Sequence, residues 1–202
     1  RTERLDGICE AVGGGAGHAQ EVSAHLERVA HSARLCDLPV PNLVQWEQAV
    51  AAAASECPAG ECVIKLILSR GVEHGPTPTA WVTVAEAPDN TRVRRDGIRV
   101  VLLDRGYDGG APERAPWLLL GAKTLSYATN MAAIREAHRR DADDAVFVTS
   151  DGVLLEGPTS SLALRQGDRF VTHAPGACSL HGTTQLTLFP QPADRCCVTA
   201  SP

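Results

Sequence analysis

Lysine is almost missing from this 202-residue chain: among its 19 basic residues only Lys65 and Lys123 are lysines, the rest being arginines. Aromatic residues are sparse, at 4%. There is no basic excess either, since the formal net charge is −5. Nucleic-acid binders carry a positive patch or stripe, so no such partner is expected. No apolar run approaches the ~20 residues of a membrane span, and no basic segment followed by an apolar one opens the chain as a secretory leader would. A soluble cytoplasmic protein without a membrane partner is the expectation. The chain also lacks CxxC, HExxH and GxSxG patterns, which argues against a metal site or a serine elbow.

What is present is an ordinary globular mixture, 44% apolar and 21% charged. Folding at this length buries ~70% of the unfolded surface. Cys9, Cys36, Cys57, Cys62, Cys178, Cys196 and Cys197 are odd in number and set no disulfide framework. They are expected as small core residues or free thiols, with Cys57 and Cys62 the pair that a bridge would join. The two lysines attract more attention. An amine can lose its proton and form a Schiff base, whereas a guanidinium practically cannot.

The residue pattern predicts a strand within the first ten residues, a turn over Gly13–Gly17, and helices over 23–38 and 41–55. The turn does not fit a dinucleotide-binding glycine motif, because no helix follows it. Strands follow at 62–69, 80–85 and 98–103. Asp108–Pro116, rich in glycine and proline, reads as a linker dividing a domain over 1–110 from one over 117–202. Beyond it the apolar run Trp117–Gly121 reads as a strand, followed by Lys123 and a helix over 126–140 with Tyr127, Met131, Ile134 and Ala137 on its apolar face. Hairpins are expected across Ser150-Asp151-Gly152 and across Gln166-Gly167-Asp168.

Several residues suit chemistry, each with a plainer role beside it. Lys123 ends an apolar stretch before a helix, where a snorkelling surface lysine is the favoured reading on position alone and a nucleophilic amine the functional one. Lys65 lies in a strand with nothing nearby to complete a site. Glu156 closes a strand before the sharp Gly157-Pro158 bend. Gly182-Thr183-Thr184 offers a helix start suited to a phosphate or to ordinary capping. Arg28 lies on an amphipathic helix, as a phosphate clamp or a surface charge.

As a set, GAKTLSYATNMAAIREA (121–137), DDAVFVTSDGVLLEGPTSSLAL (143–164) and HGTTQ (181–185) resemble the large-domain signature of the class IV pyridoxal-phosphate enzymes. LDGICEAV (5–12), SAHLERVAHSARLCDLP (23–39) and ILSRG (67–71) resemble the small-domain segments. The resemblance implies a mixed α/β, two-domain fold of the D-amino acid aminotransferase type, with pyridoxal 5'-phosphate as cofactor. It implies that Lys123 is the Schiff-base lysine and proton shuttle, and that Glu156 pairs with the pyridine nitrogen. It places Tyr127 at the cofactor's phenolic oxygen, and Arg28, Thr183 and Thr184 on the phosphate.

Within the family, KTLSYATNM and LEGPTSS look most like aminodeoxychorismate lyases, which release 4-aminobenzoate and pyruvate for folate synthesis. Branched-chain or D-amino acid aminotransferase is the alternative, and a non-catalytic remnant the third reading. A homodimer acting on a small amino substrate is implied. Cys9 stands where the family commonly has phenylalanine, and His181 where proline is frequent. The match fades after Phe189, where Pro190 and Pro192 oppose a helix. The expectation is therefore a chain shortened at both ends, with weakened cofactor affinity and stability.

Overall fold

The structure, a computed structural model, describes residues 6–58, 60–173 and 178–189. Cys196, Cys197 and the proline-interrupted tail lie outside the described residues. The chain forms two compact units, Arg1–Asn90 with Ala122–Ser126, and Thr91–Gly121 with Tyr127–Pro202. No helix among the described residues is long and apolar enough to cross a membrane.

The first unit is built on β1 (Gly7–Gly15), β2 (His18–Ala19), α1 (Val22–Leu35), α2 (Leu43–Ser55), β3 (Glu61–Ser69) and β4 (Thr79–Glu86). Its antiparallel sheet has the order β2-β1-β3-β4. Period-two alternation on β1 and β3 turns Ile8, Val12, Ile64 and Leu66 into the core. The helices supply Leu26, Val29, Ala33 and Val50. On α1, Leu35 is exposed and Ser32 is buried in its stead. The glycine turn is narrower than the sequence suggested. β1 runs on to Gly15, and the hairpin turns on Ala16 and Gly17 alone, both with positive φ, as a tight two-residue connection requires. Cys57 and Cys62 form a disulfide, which corrects the expectation of free thiols for this pair. Cys57 follows α2, and Cys62 is the second residue of β3.

The second unit contains α3 (Thr91–Asp96), β5 (Val100–Asp104), α4 (Ala111–Arg114), α5 (Ala128–Arg139), β6 (Asp144–Val148), β7 (Ala163–Gln166), β8 (Arg169–Thr172) and α6 (Thr183–Leu188). β5 pairs in parallel with β6, so residues 91–110 group with the back of the chain rather than the front. The 108–116 segment is likewise no free linker: Asp108 accepts from Gly110 N–H and pairs with Arg114, and Ala111 is buried. Trp117–Gly121 forms no strand. A single 3-10 turn covers Pro116–Leu118, and Trp117 stands 75% exposed. On α5 the buried stripe passes through Ala133 and Ala137, with Met131 exposed. Both expected hairpins form. Thr149 bonds Val153 across the first, and β7 pairs with β8 across the second.

Gly7 sits where β1 presses against β3. A Cβ there would collide with the Leu68 carbonyl oxygen and lie 2.6 Å from Ser69 Cα. Gly7→Ala should therefore destabilise the fold by about 1–3 kcal/mol, read as a lower midpoint in urea. An unchanged midpoint would mean that the strands do not approach so closely.

Candidate active site

Lys123 is positioned by the first unit's sheet. The segment around it runs antiparallel along β1: Cys9 N–H donates to the Lys123 carbonyl at 2.9 Å, and Leu125 N–H to the Gly7 carbonyl at 2.9 Å. The Lys123 N–H donates to Ser32 Oγ on α1 at 3.1 Å. Both backbone groups of the lysine are thus satisfied, and its carrier segment is tied to a strand and a helix at once. The Cys9 thiol beside it is pushed up by burial, against the opposing charges of Lys123 and Lys65.

Arg28 lies one turn before Ser32 on the same face of α1. Its Nε donates to Glu10 Oε1 and its Nη2 to Glu10 Oε2, both at 2.8 Å. His25 Nδ1 lies 2.6 Å from Glu10 Oε2. Glu10 itself is only 1% exposed, within the apolar row of Ile8 and Val12. Burial alone would raise its pKa, but the hydrogen bonds from His25 and Arg28 outweigh it and hold the carboxyl below the ordinary glutamate range. Sequence reasoning passed over Glu10. The signal was available: in GICEAV, a carboxylate in phase with Ile8 and Val12 must be buried, and a buried carboxylate needs a cation or donors.

The second unit gathers the remaining candidates. Glu156 ends the hairpin that follows β6, where its carbonyl accepts from Phe147 N–H at 2.9 Å. Its carboxylate oxygens accept from Leu180 N–H at 3.1 and 3.2 Å. That bond links the carboxylate to the chain leading into α6. There Thr183 is buried and Thr184 exposed. The Gln185 amide accepts from Gly182 N–H and donates to Thr172 Oγ1, fixing this helix start on β8. Tyr127 stands at the beginning of α5, and its hydroxyl donates to the Pro158 carbonyl at 3.0 Å. Asn130 Nδ2 donates to the same carbonyl at 2.7 Å. Lys123 and Arg28 are thus brought together on the framework of one unit, and Glu156, Tyr127, Thr183 and Thr184 on that of the other. Among the described residues no cluster of histidine, cysteine and carboxylate groups could hold a metal ion.

The model of the amino-transferase class IV family matches residues 7–195. The chain belongs to that family. It is 43% identical over 197 residues to a bifunctional aminodeoxychorismate lyase / D-amino acid transaminase from Mycobacterium tuberculosis, covering 92% of this chain and 68% of that protein. A hypothetical aminotransferase from Mycobacterium tuberculosis, solved in a PLP-bound form, superimposes with a TM-score of 0.90 at 40% identity, covering 97% of this chain and 73% of that one. Its form with alpha-ketoglutarate and PMP gives 0.89 at 43% identity, covering 93% and 68%. The fold IV transaminase CpuTA1 from Curtobacterium pusillum gives 0.88 at 47% identity, covering 93% and 64%. The chain thus spans about two thirds of the length of these family members. Membership makes it an enzyme of the class IV type, with the mixed α/β fold of that class.

Glu10 titrates lower in the folded protein than in the unfolded chain. Its ionisation therefore contributes stability that is fully present above about pH 4.3 and lost as the pH falls through the lowered folded value. The urea midpoint should fall on acidification below about pH 4.3, and fall less in Glu10→Gln. At pH 7, Glu10→Ala should cost about 3–5 kcal/mol. Parallel pH profiles for wild type and Glu10→Gln would remove Glu10 from this role.

Proposed function

We propose that the chain uses pyridoxal 5'-phosphate to convert 4-amino-4-deoxychorismate into 4-aminobenzoate and pyruvate, a step toward folate. The observation carrying this reading is the 43% identity to a relative named for aminodeoxychorismate lyase. The donor set suits the cofactor: an amine at Lys123 for its aldehyde, a carboxylate at Glu156 for its ring N–H, and the Arg28 guanidinium with the Thr183 and Thr184 hydroxyls for its phosphate. The anchoring of both Glu156 oxygens on Leu180 N–H supports the assignment, because a backbone donor holds the carboxylate in place.

Pyridoxal phosphate, when bound, supplies an electrophilic carbonyl and an electron-accepting ring. Lys123 Nζ would hold it and would take the proton from the substrate carbon that bears nitrogen. Glu156 keeps a proton at the ring nitrogen, where negative charge would otherwise accumulate. The Tyr127 hydroxyl, which donates to the Pro158 carbonyl here, would turn its proton to the phenolic oxygen of the bound cofactor. Arg28, braced by Glu10, binds phosphate as a fixed cation. Protonation of the enolpyruvyl group and its departure as pyruvate leave the aromatic amine, and the two products together account for every substrate atom.

D-amino acid transamination is the second reading. The same relative bears that name, and a solved relative carries alpha-ketoglutarate and PMP. The two reactions use the same lysine and separate in one assay. Aminodeoxychorismate should yield 4-aminobenzoate with no keto acid added; a strict need for a 2-keto acid would hand the assignment to the transaminase. Borohydride reduction of the cofactor-loaded chain and peptide mapping should label Lys123, and Lys123→Ala should lose the cofactor's near-visible absorbance. Label on Lys65 would refute the site. Glu156→Gln should lower turnover far more than cofactor affinity; equal losses would make Glu156 structural. We also propose a homodimer, to be tested by sedimentation.

A further inference from the structure

Arg105, just beyond β5, is the one described residue with a buried side-chain nitrogen that lacks a hydrogen-bond partner, its Nη1. A buried donor left unpaired costs stability, so this guanidinium is poorly explained as a local brace. The guanidinium also lies within hydrogen-bonding reach of the Tyr107 side chain, and two further contacts converge on one place. The guanidinium carbon lies 4.3 Å from the centre of the Phe147 ring, and the Phe147 N–H holds the Glu156 carbonyl. Arg105 Nη2 donates to Asn130 Oδ1 at 3.2 Å, and Asn130 in turn donates to the Pro158 carbonyl that also receives the Tyr127 hydroxyl. Glu156 and Pro158 flank Gly157. That glycine donates to the Ser160 carbonyl at 2.8 Å, and a Cβ on it would collide with Ser160 Oγ. The turn is therefore tight, and its two sides are the Phe147 and Asn130 contacts.

We propose that Arg105 is a positioning residue for this turn, gripping one flank through Phe147 and the other through Asn130, and so setting the Glu156 carboxylate and the Tyr127 hydroxyl relative to each other. A lysine could not serve, because only the planar guanidinium stacks on a ring and donates sideways at once. The proposal rests on the reading of Glu156 as the partner of the cofactor's ring nitrogen.

The test uses the cofactor-loaded full chain with Arg105→Gln, Arg105→Lys, Asn130→Ala, the Arg105→Gln/Asn130→Ala pair, and Glu156→Gln as reference. Turnover, KM, melting temperature and the pH dependence of the bound cofactor's absorbance are measured for each. Arg105→Gln should lower kcat roughly ten- to a hundredfold, with KM and melting temperature little changed. Arg105→Lys should not restore it. The double variant should lose no more than the weaker single one, since both residues act along one chain of contacts. The absorbance transition should move in the same direction as in Glu156→Gln. Wild-type kcat in Arg105→Gln, additive losses in the pair, or a kcat loss matched by a fall in melting temperature would overturn the proposal. If Glu156→Gln is impaired and the Arg105 variants are not, Arg105 alone has been misassigned. Full turnover in Glu156→Gln would overturn the underlying reading and this inference with it.

Discussion

β1 is hydrogen-bonded along both of its edges, and the first unit depends on that. One edge pairs with β3 from Gly7↔Ser69 to Gly15↔Glu61. The other edge is divided: β2 takes its far end at Gly14 and Gly15, and the Lys123 segment takes its near end at residues 7–9. A lysine more than a hundred residues away in sequence is thereby fixed to the strand that carries Glu10. Because a strand's faces alternate, the edge that receives the Lys123 backbone and the face that receives Arg28 belong to the same few residues. Strand geometry thus places the amine-bearing segment and the braced guanidinium on one rigid element.

The buried carboxylate on that strand deserves comparison with the one at Glu156. Glu10 is enclosed, and the Arg28 guanidinium and the His25 ring satisfy it. Glu156 is half-buried, and the Leu180 N–H donates to both of its oxygens. The first arrangement consumes a carboxylate to orient an arginine. The second ties a carboxylate to the backbone that leads into α6. The same functional group serves two ends, and the surroundings decide which. The second unit repeats the theme around Pro158, where one carbonyl gathers Tyr127 and Asn130 and, through Asn130, Arg105.

Much of this was legible in the residue pattern. The helices over α1, α2 and α5, the strands β1, β3, β4 and β5, and both later hairpins follow from periodicity and from glycine at the turns. The order of lysine, carboxylate and Gly-Thr-Thr was enough to indicate the family, because those groups keep their chemistry wherever the chain bends. The limits were physical as well. Composition alone read 108–116 as a linker, yet Asp108 accepts from Gly110 N–H and pairs with Arg114 within it. Apolar content read Trp117–Gly121 as a strand, yet it opens on the 3-10 turn of Pro116–Leu118 and continues through Leu119 with positive φ.

By itself the sequence determined the local elements, the family and the identity of the chemically able side chains, since each depends on nearest neighbours or on residue type. The tertiary structure alone decided the partnerships: Glu10 with Arg28 and His25, the Lys123 segment with β1, Leu180 with Glu156, Arg105 with Phe147 and Asn130, and residues 91–110 with the second unit through β5 and β6. Those are contacts between residues far apart in the chain. No periodicity encodes them, because they exist only once burial has brought the elements together and left each buried polar group in need of a partner.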